Sequence, residues 1–476
     1  DELTNNGTLG LESDDSGIFS LMVDTYTDNG NEEIELYLTG GPEGTSYYKW
    51  HYISSPVTNL STDVFTGTTQ NLVGYFEERP TTSDMQGWVA YDGYVYDGGG
   101  EDLDYDFGTL NVGEGYNLYH SSASHTFSFS GTINTGNKSI ELSYTTDNEG
   151  TWNGLNLVGN PYTCSIDWSV IDDGLEAGVS HAIYFTRASD GNIVSWVNGV
   201  GTDGNVTSVI PPMQGFFIKT NASSTSIDLL VSSDRTHGTQ DRYKSSSVIP
   251  LIRMELTDGE QSDKTVIRFD ENATSDFDNS FDASKFLISE ERNLLWSKLS
   301  NNKYSINAIK FPEEEVTLEL VINVAEEGQY SLKASSIEGL DNYDIVLTDI
   351  IQNNYKVDLK QTQEYTFSAN KGRIEDRFTI TIKRIATGFD EIETDKGFNM
   401  YTYAEHLFIQ NLGDSWNNTK ADVNVYDLAG RLISKHKNIE FYRGETINLS
   451  FNNPAGVYLI EITDRTRRKV QKLSHR

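Results

Sequence analysis

The chain has 476 residues, enough for two to four domains with cores of their own. Its 71 acidic and 36 basic residues give a formal net charge of −35, which would repel nucleic acid and anionic membranes, so neither is expected as a partner. A single cysteine, Cys164, excludes an intrachain disulfide and a thiolate metal cluster, and no apolar run reaches the ~20 residues that span a bilayer.

Alternating apolar and polar residues are the dominant pattern along the chain, as in 33–38, 316–324 and 378–382. Such alternation places apolar side chains on one face of a sheet and polar ones on the other. Turn-forming pairs such as Asp92-Gly93 separate the runs. The sequence therefore predicts an all-β protein of tandem sandwiches, Ig-like or jelly-roll-like. Because the chain opens without a methionine or a signal peptide, we also expect that more sequence precedes residue 1.

An internal duplication is predicted in residues 1–238, with halves at about 1–140 and 141–238. The matched segments are 50–56 with 152–161, 113–116 with 213–216, and Trp88 with Trp196. Aromatic residues that recur in this way favour stacking inside a core. The alternative is an aromatic face that binds glycans.

The densest acidic loop runs from Asp92 to Gly108. Within it Asp102, Asp104 and Asp106 alternate with other residues, as the oxygen ligands of a calcium ion do in a tight loop. The loop lacks the central glycine and the final glutamate of an EF-hand. Calcium is therefore one interpretation, with a structural role, and a solvated acidic loop is the other. No other cofactor is predicted.

No catalytic motif is complete in the chain. Gly199 to Gly204 matches a dinucleotide-binding pattern, but strand-forming residues follow it instead of the helix that binds pyrophosphate. Gly178 to Ala182 lacks the second glycine of a nucleophile elbow. Cys164 lies among turn and strand residues, which favours a core position over a nucleophile. We therefore expect no enzyme, although a Ser/His/Asp set need not be local in sequence.

Composition predicts three boundaries in the second half of the chain. A polar, Ser-rich stretch at 232–247 is typical of a linker, and a β-sandwich domain is predicted at 245–385. An acidic, unpatterned segment, 386–396, then predicts an exposed tether. The remaining residues, 397–476, are predicted to form a small Greek-key β-sandwich.

The final domain differs from the rest in charge. From Gly430 to Arg476 there are ten Lys or Arg residues and four acidic ones, in a chain that is otherwise strongly acidic. A basic terminus is either an ordinary charged surface or a surface that a receptor recognises.

This domain resembles the type A C-terminal sorting domain of Bacteroidota type IX secretion cargo. The similarity rests on Val-Tyr-Asp-Leu-x-Gly-Arg, then Gly-Val-Tyr-Leu-Ile-x-Ile, then a basic Lys-Val-x-Lys-Leu tail, in that order. The residues that the resemblance identifies for recognition by the translocon and its shuttle are Gly430, Arg431, Gly456, Val457, Tyr458, Lys469, Val470, Lys472 and Leu473.

The resemblance implies a route and a set of partners. The cargo would fold in the periplasm, and its last domain would be recognised by the outer-membrane translocon and a shuttle β-barrel protein. A surface sortase would then cut the tether and either release the protein or join it to lipopolysaccharide. The expected cleavage region is Thr387, Gly388, Phe389 and Asp390. The expected location is therefore secreted or at the cell surface.

Three functions are compatible with this sequence. The first is a cargo protein whose upstream β domains are spacer or adhesive modules. The second is a set of carbohydrate-binding adhesin modules, with glycans as partners. The third is a secreted hydrolase, either with catalytic residues within residues 1–385 or with this chain as its tail and the catalytic part upstream.

Overall fold

A computed structural model shows two compact units, Asp1–Arg384 and Ile385–Arg476. Strands dominate both units and helices are few and short, so the prediction of an all-β fold is confirmed. The domain boundaries predicted above within residues 1–385 stay predictions. The structure describes residues 1–40, 50–65, 70–79, 87–95, 100–101, 103–145, 153–187, 190–223, 225–238, 249–287, 289–300, 302–385, 397–403, 405–413, 416–464 and 467–475.

The first 238 residues form many short strands. Among the described residues, one turn of α-helix, α1, spans Trp168–Ile171, and 3-10 turns span Thr62–Phe65, Leu103–Tyr105 and Asp172–Gly174. The strands in the described part of this region are β1 (Glu2–Asn5), β2 (Thr8–Leu11), β3 (Ser13–Asp14), β4 (Gly17–Ile18), β5 (Thr25–Asp28), β6 (Asn31–Thr39), β7 (Trp50–Ile53), β8 (Leu60–Ser61), β9 (Gln70–Tyr75), β10 (Trp88–Ala90), β11 (Tyr94–Val95), β12 (Gly100–Glu101), β13 (Thr109–Leu110), β14 (Tyr116–His120), β15 (Ser124–Phe129), β16 (Lys138–Leu142), β17 (Leu155–Gly159), β18 (Ser165–Asp167), β19 (Val179–Thr186), β20 (Ile193–Val197), β21 (Val200–Gly201), β22 (Val209–Ile210), β23 (Gly215–Thr220), β24 (Thr225–Leu229) and β25 (Arg235–Thr236).

Two successive stretches of this region share one strand order. The first sheet runs β7-β14-β9-β10-β11-β12, and the second runs β17-β23-β19-β20-β21. Each has the same companions, since β6 pairs with β15 as β16 does with β24, and β8 pairs with β13 as β18 does with β22. The turn between β20 and β21 is Asn198-Gly199, with both residues at positive φ, as a two-residue hairpin requires. The glycine-rich segment 199–204 therefore begins in a hairpin turn.

Strand register relates the two stretches differently from the predicted tryptophan match. Tyr116 pairs with Ile53, and in the second sheet Phe216 pairs with Val158. This alignment relates Pro56 to Pro161, so that Leu155 takes the position of Trp50. Trp152 lies outside the described residues. Trp88 and Trp196 also differ in position along their strands, because Trp88 is the first residue of β10 and pairs with Tyr75, whereas Trp196 is the fourth residue of β20 and pairs with Ile183.

The two stretches meet through reciprocal backbone contacts. Ile53 bridges to Gln214, and Val158, its counterpart, bridges to Glu114. The Ser54 amide donates to the Met213 carbonyl at 2.8 Å, and the Gly159 amide donates to the Gly113 carbonyl at 2.9 Å. The same surface of each stretch therefore contacts the other, which is the arrangement of a two-fold symmetric interface within one chain.

The rest of the first unit is a large sheet that folds over its own core. Its strand order is β34-β33-β36-β31-β29-β30-β27-β26-β32-β35, with β28 added on β30. Apolar residues from strands across this sheet, including Leu332, Phe367 and Ile380, form one buried cluster. The strands are β26 (Leu251–Thr257), β27 (Ser262–Phe269), β28 (Ala283–Ser284), β29 (Leu294–Leu299), β30 (Asn302–Ile309), β31 (Glu315–Val324), β32 (Gly328–Glu338), β33 (Tyr343–Asp349), β34 (Tyr355–Asp358), β35 (Glu364–Ala369) and β36 (Gly372–Arg384).

This sheet packs directly against the duplicated region. Tyr184 and Phe217 share a buried apolar cluster with Ile306 and residues around it. The Ser284 amide donates to the Tyr184 hydroxyl at 2.9 Å. Residues on both sides of the predicted linker at 232–247 therefore contribute to one core, so this part of the chain is one compact unit.

The second unit is a small β-sandwich. Its sheets have the orders β37-β38-β41 and β40-β39-β42-β43, and their inner faces share one apolar core. The strands in the described part of this unit are β37 (Phe398–Tyr403), β38 (His406–Asn411), β39 (Thr419–Asp427), β40 (Leu432–Phe441), β41 (Thr446–Ser450), β42 (Gly456–Thr463) and β43 (Arg468–His475).

Candidate functional site

The three parts of the predicted recognition pattern meet at one end of the four-stranded sheet. Asp427, at the end of β39, pairs with Tyr458 on β42, and Tyr458 pairs with Leu473 on β43. One row across three strands therefore joins segments that lie far apart in sequence. We call this end of the sheet the convergent end. It carries the β39–β40 turn, the start of β42 and the end of β43.

The β39–β40 turn is organised by the carboxylate of Asp427. Its Oδ1 accepts hydrogen bonds from the amides of Ala429 at 3.0 Å and Arg431 at 2.9 Å. Its Oδ2 accepts from Nε of Arg431 at 3.1 Å. Gly430 has a φ of 75°, a conformation that favours glycine. These contacts explain why Asp, Gly and Arg occur at these spacings: they set the shape of the turn.

Tyr458 and Leu473 are core residues of the sandwich. Both are buried among the apolar side chains of the second unit. The Tyr458 hydroxyl donates to the Pro454 carbonyl at 2.7 Å, and its ring meets Phe451 edge to face at 5.2 Å. A receptor cannot reach these side chains while the unit is folded. Their place in the pattern is therefore explained by folding.

Other members of the pattern are accessible. The Arg431 side chain is 78% exposed and Lys472 is exposed on β43. Gly456, Val457, Lys469 and Val470 are partly exposed. The structure thus divides the predicted residues into a buried pair that builds the sheet and a set that a partner could contact.

Two exposed leucines belong to the same turn and were missed by sequence reasoning. Leu428 is 66% exposed and Leu432 is 48% exposed, on either side of Gly430-Arg431. An exposed apolar pair next to an arginine makes this turn a candidate contact surface. The apolar residues that flank Gly-Arg in 426–433 are the sequence feature that could have found them.

Both outer strands of this sheet have an edge without a partner strand among the described residues. β43 pairs with β42 alone, and β40 pairs with β39 alone. An unpaired strand edge presents amide and carbonyl groups to which another strand can add. Because Lys472 lies on β43 and Lys437 on β40, both edges carry exposed positive charge.

The carboxylate of Glu461 is buried on the face of the four-stranded sheet that points away from the apolar core. Glu461 accepts from Nδ2 of Asn424 at 2.7 Å and from the Tyr426 hydroxyl at 2.9 Å, and it pairs with Arg468. Burial acts to raise the pKa of Glu461, but these hydrogen bonds outweigh it and hold the pKa below its ordinary value. The carboxylate therefore ties the tail strand β43 to β42 and β39. Sequence patterns do not reveal such a cluster.

The predicted calcium loop is only partly described. Asp104 lies in the 3-10 turn Leu103–Tyr105, Asp106 follows it, and both are exposed. Asp102 lies outside the described residues. In the part of the chain that the structure describes, no group of three or more His, Cys, Asp or Glu side chains is placed to hold a metal ion. Calcium at this loop stays a prediction.

The predicted cleavage region, Thr387, Gly388, Phe389 and Asp390, also lies outside the described residues, as does the whole tether 386–396. The last described residue before it is Ile385, directly after the end of β36. The first described residue after it is Gly397, directly before β37.

Aromatic side chains of the duplicated region face inward where they are described. Trp88 packs with Tyr52, Tyr75 and Phe217 at centroid distances of 5.1–6.3 Å. Trp196 is buried in the second stretch. These rings form cores, so a glycan-binding face made of them has no support here.

Cys164 is fully buried in the same region, among apolar residues that include Tyr162 and Ile166. Burial raises the pKa of the Cys164 thiol to about 11, with partial compensation from Arg235. The thiol is therefore protonated at neutral pH, which agrees with a core role. No helix in the described residues has the length and apolar character needed to cross a membrane.

Comparisons with known proteins give two family matches. Residues 3–382 match the family described as "Domain of unknown function (DUF8693)", and residues 405–475 match the one described as "Secretion system C-terminal sorting domain". No curated protein matches the chain. Among solved structures, the crystal structure of dimeric latent PorU from Porphyromonas gingivalis is similar at 10% identity, over 73% of this chain and 35% of that chain, with a TM-score of 0.14. The chain thus spans only 35% of that solved chain, and so low a TM-score supports no argument.

Proposed function

Because the chain belongs to the family described as Domain of unknown function (DUF8693) and carries a type IX secretion C-terminal sorting domain at residues 405–475, we propose that its upstream unit is a spacer or adhesive module delivered to the cell surface by that domain. The sorting domain confirms the resemblance predicted from the sequence and marks the protein as type IX cargo. The observation that carries the proposal is the convergent end, where one row, Asp427-Tyr458-Leu473, joins all three recognition segments in a unit with its own core.

Recognition would use the folded domain. The outer-membrane translocon and its shuttle protein would contact the convergent end through Arg431, Leu428 and Leu432, and through Lys472 on the edge of β43. Docking of a partner strand against an unpaired edge would add backbone hydrogen bonds to these side-chain contacts. Exposed charge would act on the rate and specificity of this encounter more than on its affinity.

Cleavage would follow export. A surface sortase would cut within 387–390 and either release the upstream unit or attach it to lipopolysaccharide. The division of the chain into compact units at Arg384 and Ile385 supports this proposal, because a cut in the following segment would leave both cores intact.

The upstream unit would act without catalysis. The Cys164 thiol is sealed in a core, so it is not available as a nucleophile, and this supports a spacer or adhesive role. A secreted hydrolase is the second candidate function. It would require catalytic residues within residues 1–385 or in a part of the protein upstream of them.

Truncation tests the proposal. The full chain and a chain ending at Arg384 are expressed behind the same periplasmic export signal, in a type IX-competent strain and in one that lacks the translocon. We expect the full chain at the surface or in the medium of the competent strain alone, and the truncated chain in the periplasm of both. Surface delivery of the truncated chain would contradict the proposal.

A further inference from the structure

A wide groove opens where the two ends of the large sheet come together. The terminal strands of that sheet, β34 and β35, follow one another in sequence, and the groove lies between them with a volume of about 610 Å³. Cavities that bind small molecules span about 300–1,000 Å³. The groove belongs to the upstream unit.

An aromatic pair, the exposed Tyr355 and the partly buried Tyr365, forms one wall of the groove. Tyr355 is 57% exposed, and its ring stacks on that of Tyr365 with centroids 5.8 Å apart and planes at 30°. Tyr365 in turn stacks on Phe367 at 6.1 Å, which is part of the buried core. The pair is therefore the outer end of an aromatic column that is supported from below.

A buried ion pair fixes the inner ring. The Tyr365 hydroxyl donates to Oδ2 of Asp349 at 3.0 Å. Asp349 is held in turn by Arg377, whose Nη2 donates to the same oxygen at 2.9 Å, and both side chains are buried. A ring held at its hydroxyl and on its face loses little freedom when a ligand stacks against the column.

The remaining walls are mostly polar. Gln352, Gln361 and Thr362 line the groove with amide and hydroxyl groups, and Glu364 adds a carboxylate. Lys356 carries one positive charge against the carboxylates of Asp358 and Glu364, so the lining has a formal charge of −1 and disfavours an anionic ligand. Donors and acceptors beside a flat apolar surface suit a ligand that has hydroxyl groups at its rim and C–H groups on its faces.

A polypeptide strand fits the groove less well. Strand addition between β34 and β35 would place the new strand about 4.8 Å from each neighbour. The rings of Tyr355 and Tyr365, one from each strand, already meet across the opening. Insertion of a strand would have to separate them and break the column.

We propose that this groove binds a neutral oligosaccharide, with a sugar ring lying against Tyr355 and its hydroxyl groups bonded by Gln352, Gln361 and Thr362. The inference rests on the adhesive role proposed above and gives it a ligand class. It differs in place from the glycan face considered for the duplicated region, where Trp88 packs against neighbouring rings and Trp196 is buried in an apolar cluster.

The purified full chain tests this directly. Binding of cellohexaose, xylohexaose, laminarihexaose and maltohexaose is measured by saturation-transfer NMR and calorimetry, next to an extended Val/Thr-rich peptide. We expect at least one hexaose to bind and to contact Tyr355 and Tyr365. The variant Tyr355→Ala should bind roughly tenfold more weakly, because it loses the stacking surface. Tyr355→Phe should bind normally.

Tyr403→Ala is the matched control, since Tyr403 is 75% exposed in the other unit. It should leave binding unchanged. The inference is overturned if no hexaose binds, if Tyr355→Ala and Tyr403→Ala bind alike, or if the peptide binds at the groove and the sugars do not. Export of Tyr355→Ala is measured in the same strains as the truncation. If Tyr355→Ala is exported normally but no longer binds the sugar, then sugar binding and delivery of the chain are separate properties that can be tested independently.

Discussion

Tyr458 lies directly opposite Leu473 in the antiparallel pairing of β42 with β43, and both side chains are buried in the core of the sorting domain. The C-terminal tail therefore completes the fold of the domain as well as offering a surface. Deleting the tail from Lys469 onward would expose the apolar face of β42, so a loss of export would not separate recognition from folding. Point variants of the tail separate the two.

Leu473→Ala should weaken the sorting domain itself. Removing a buried leucine side chain costs about 2–5 kcal/mol of unfolding free energy. Lys472→Ala, its exposed neighbour, should stay within about 0.5 kcal/mol of the parent. Hydrogen exchange of the β42 peptide in the full chain reports the difference. Equal protection of β42 in the two variants would show that Leu473 is not a core residue.

Lys472→Glu should reduce export while leaving the domain folded. The variant reverses a charge on the free edge of β43 and touches no core contact. Lys437→Glu makes the same charge change on β40, at the other edge of the sheet, and serves as the control. The ratio of surface to periplasmic protein is measured for both. If both variants are exported alike, the edge of β43 is not the recognised one.

Gly115→Ala should destabilise the contact between the two repeated stretches. A Cβ at this position would lie 2.6 Å from the Val158 carbonyl oxygen and 2.7 Å from Cγ of Leu157. Overpacking of this kind costs about 1–3 kcal/mol. Gly108→Ala, where a Cβ meets open space, is the control and should be near neutral. The urea denaturation midpoints of the two variants are compared. Equal midpoints would count against close packing between the two repeated stretches.

Asp282 should make the upstream unit less stable as the pH rises. Burial raises the pKa of Asp282 to about 7, against hydrogen bonds from the amides of Ala308 and Asp278. Because the folded state keeps a proton that the unfolded chain has lost, the stabilisation is complete below a pH of about 4 and disappears as the pH rises through about 7.

Urea denaturation at about pH 5 and pH 8 measures this effect, which amounts to a few kcal/mol. Asp282→Asn should flatten the difference between the two pH values, because it removes the titrating group. An unchanged pH dependence in the variant would assign the effect to other groups.

Alternation of apolar and polar residues was enough to predict the all-β fold. Strand β31 shows why, since Leu318, Leu320 and Ile322 face the core as the period-two pattern requires. The pairing register of the strands was harder to predict. The matched tryptophans suggested one alignment of the repeats, whereas backbone pairing of Tyr116 and Phe216 sets another. Tryptophans fill whichever side of a strand has space, so their spacing need not follow the register.

The candidate site was predicted in part. Its residues were identified through resemblance, but the sequence could not separate the buried Tyr458 and Leu473 from the exposed Arg431 and Lys472, because burial depends on which strands become neighbours. The groove at Tyr355 and Tyr365 was not predicted at all. It exists because the two ends of a long sheet come together, and no local pattern encodes that closure.

A reporter fusion tests the central claim most directly, namely that the sorting domain is sufficient for export. Residues 386–476 are fused to a periplasmic fluorescent reporter in a type IX-competent strain, next to the same fusion carrying Leu473→Ala and to a fusion with a known sorting domain. We predict that the parent fusion reaches the surface or the medium and that the variant fusion does so less. A reporter that stays in the periplasm, while the known sorting domain exports it, would contradict the claim.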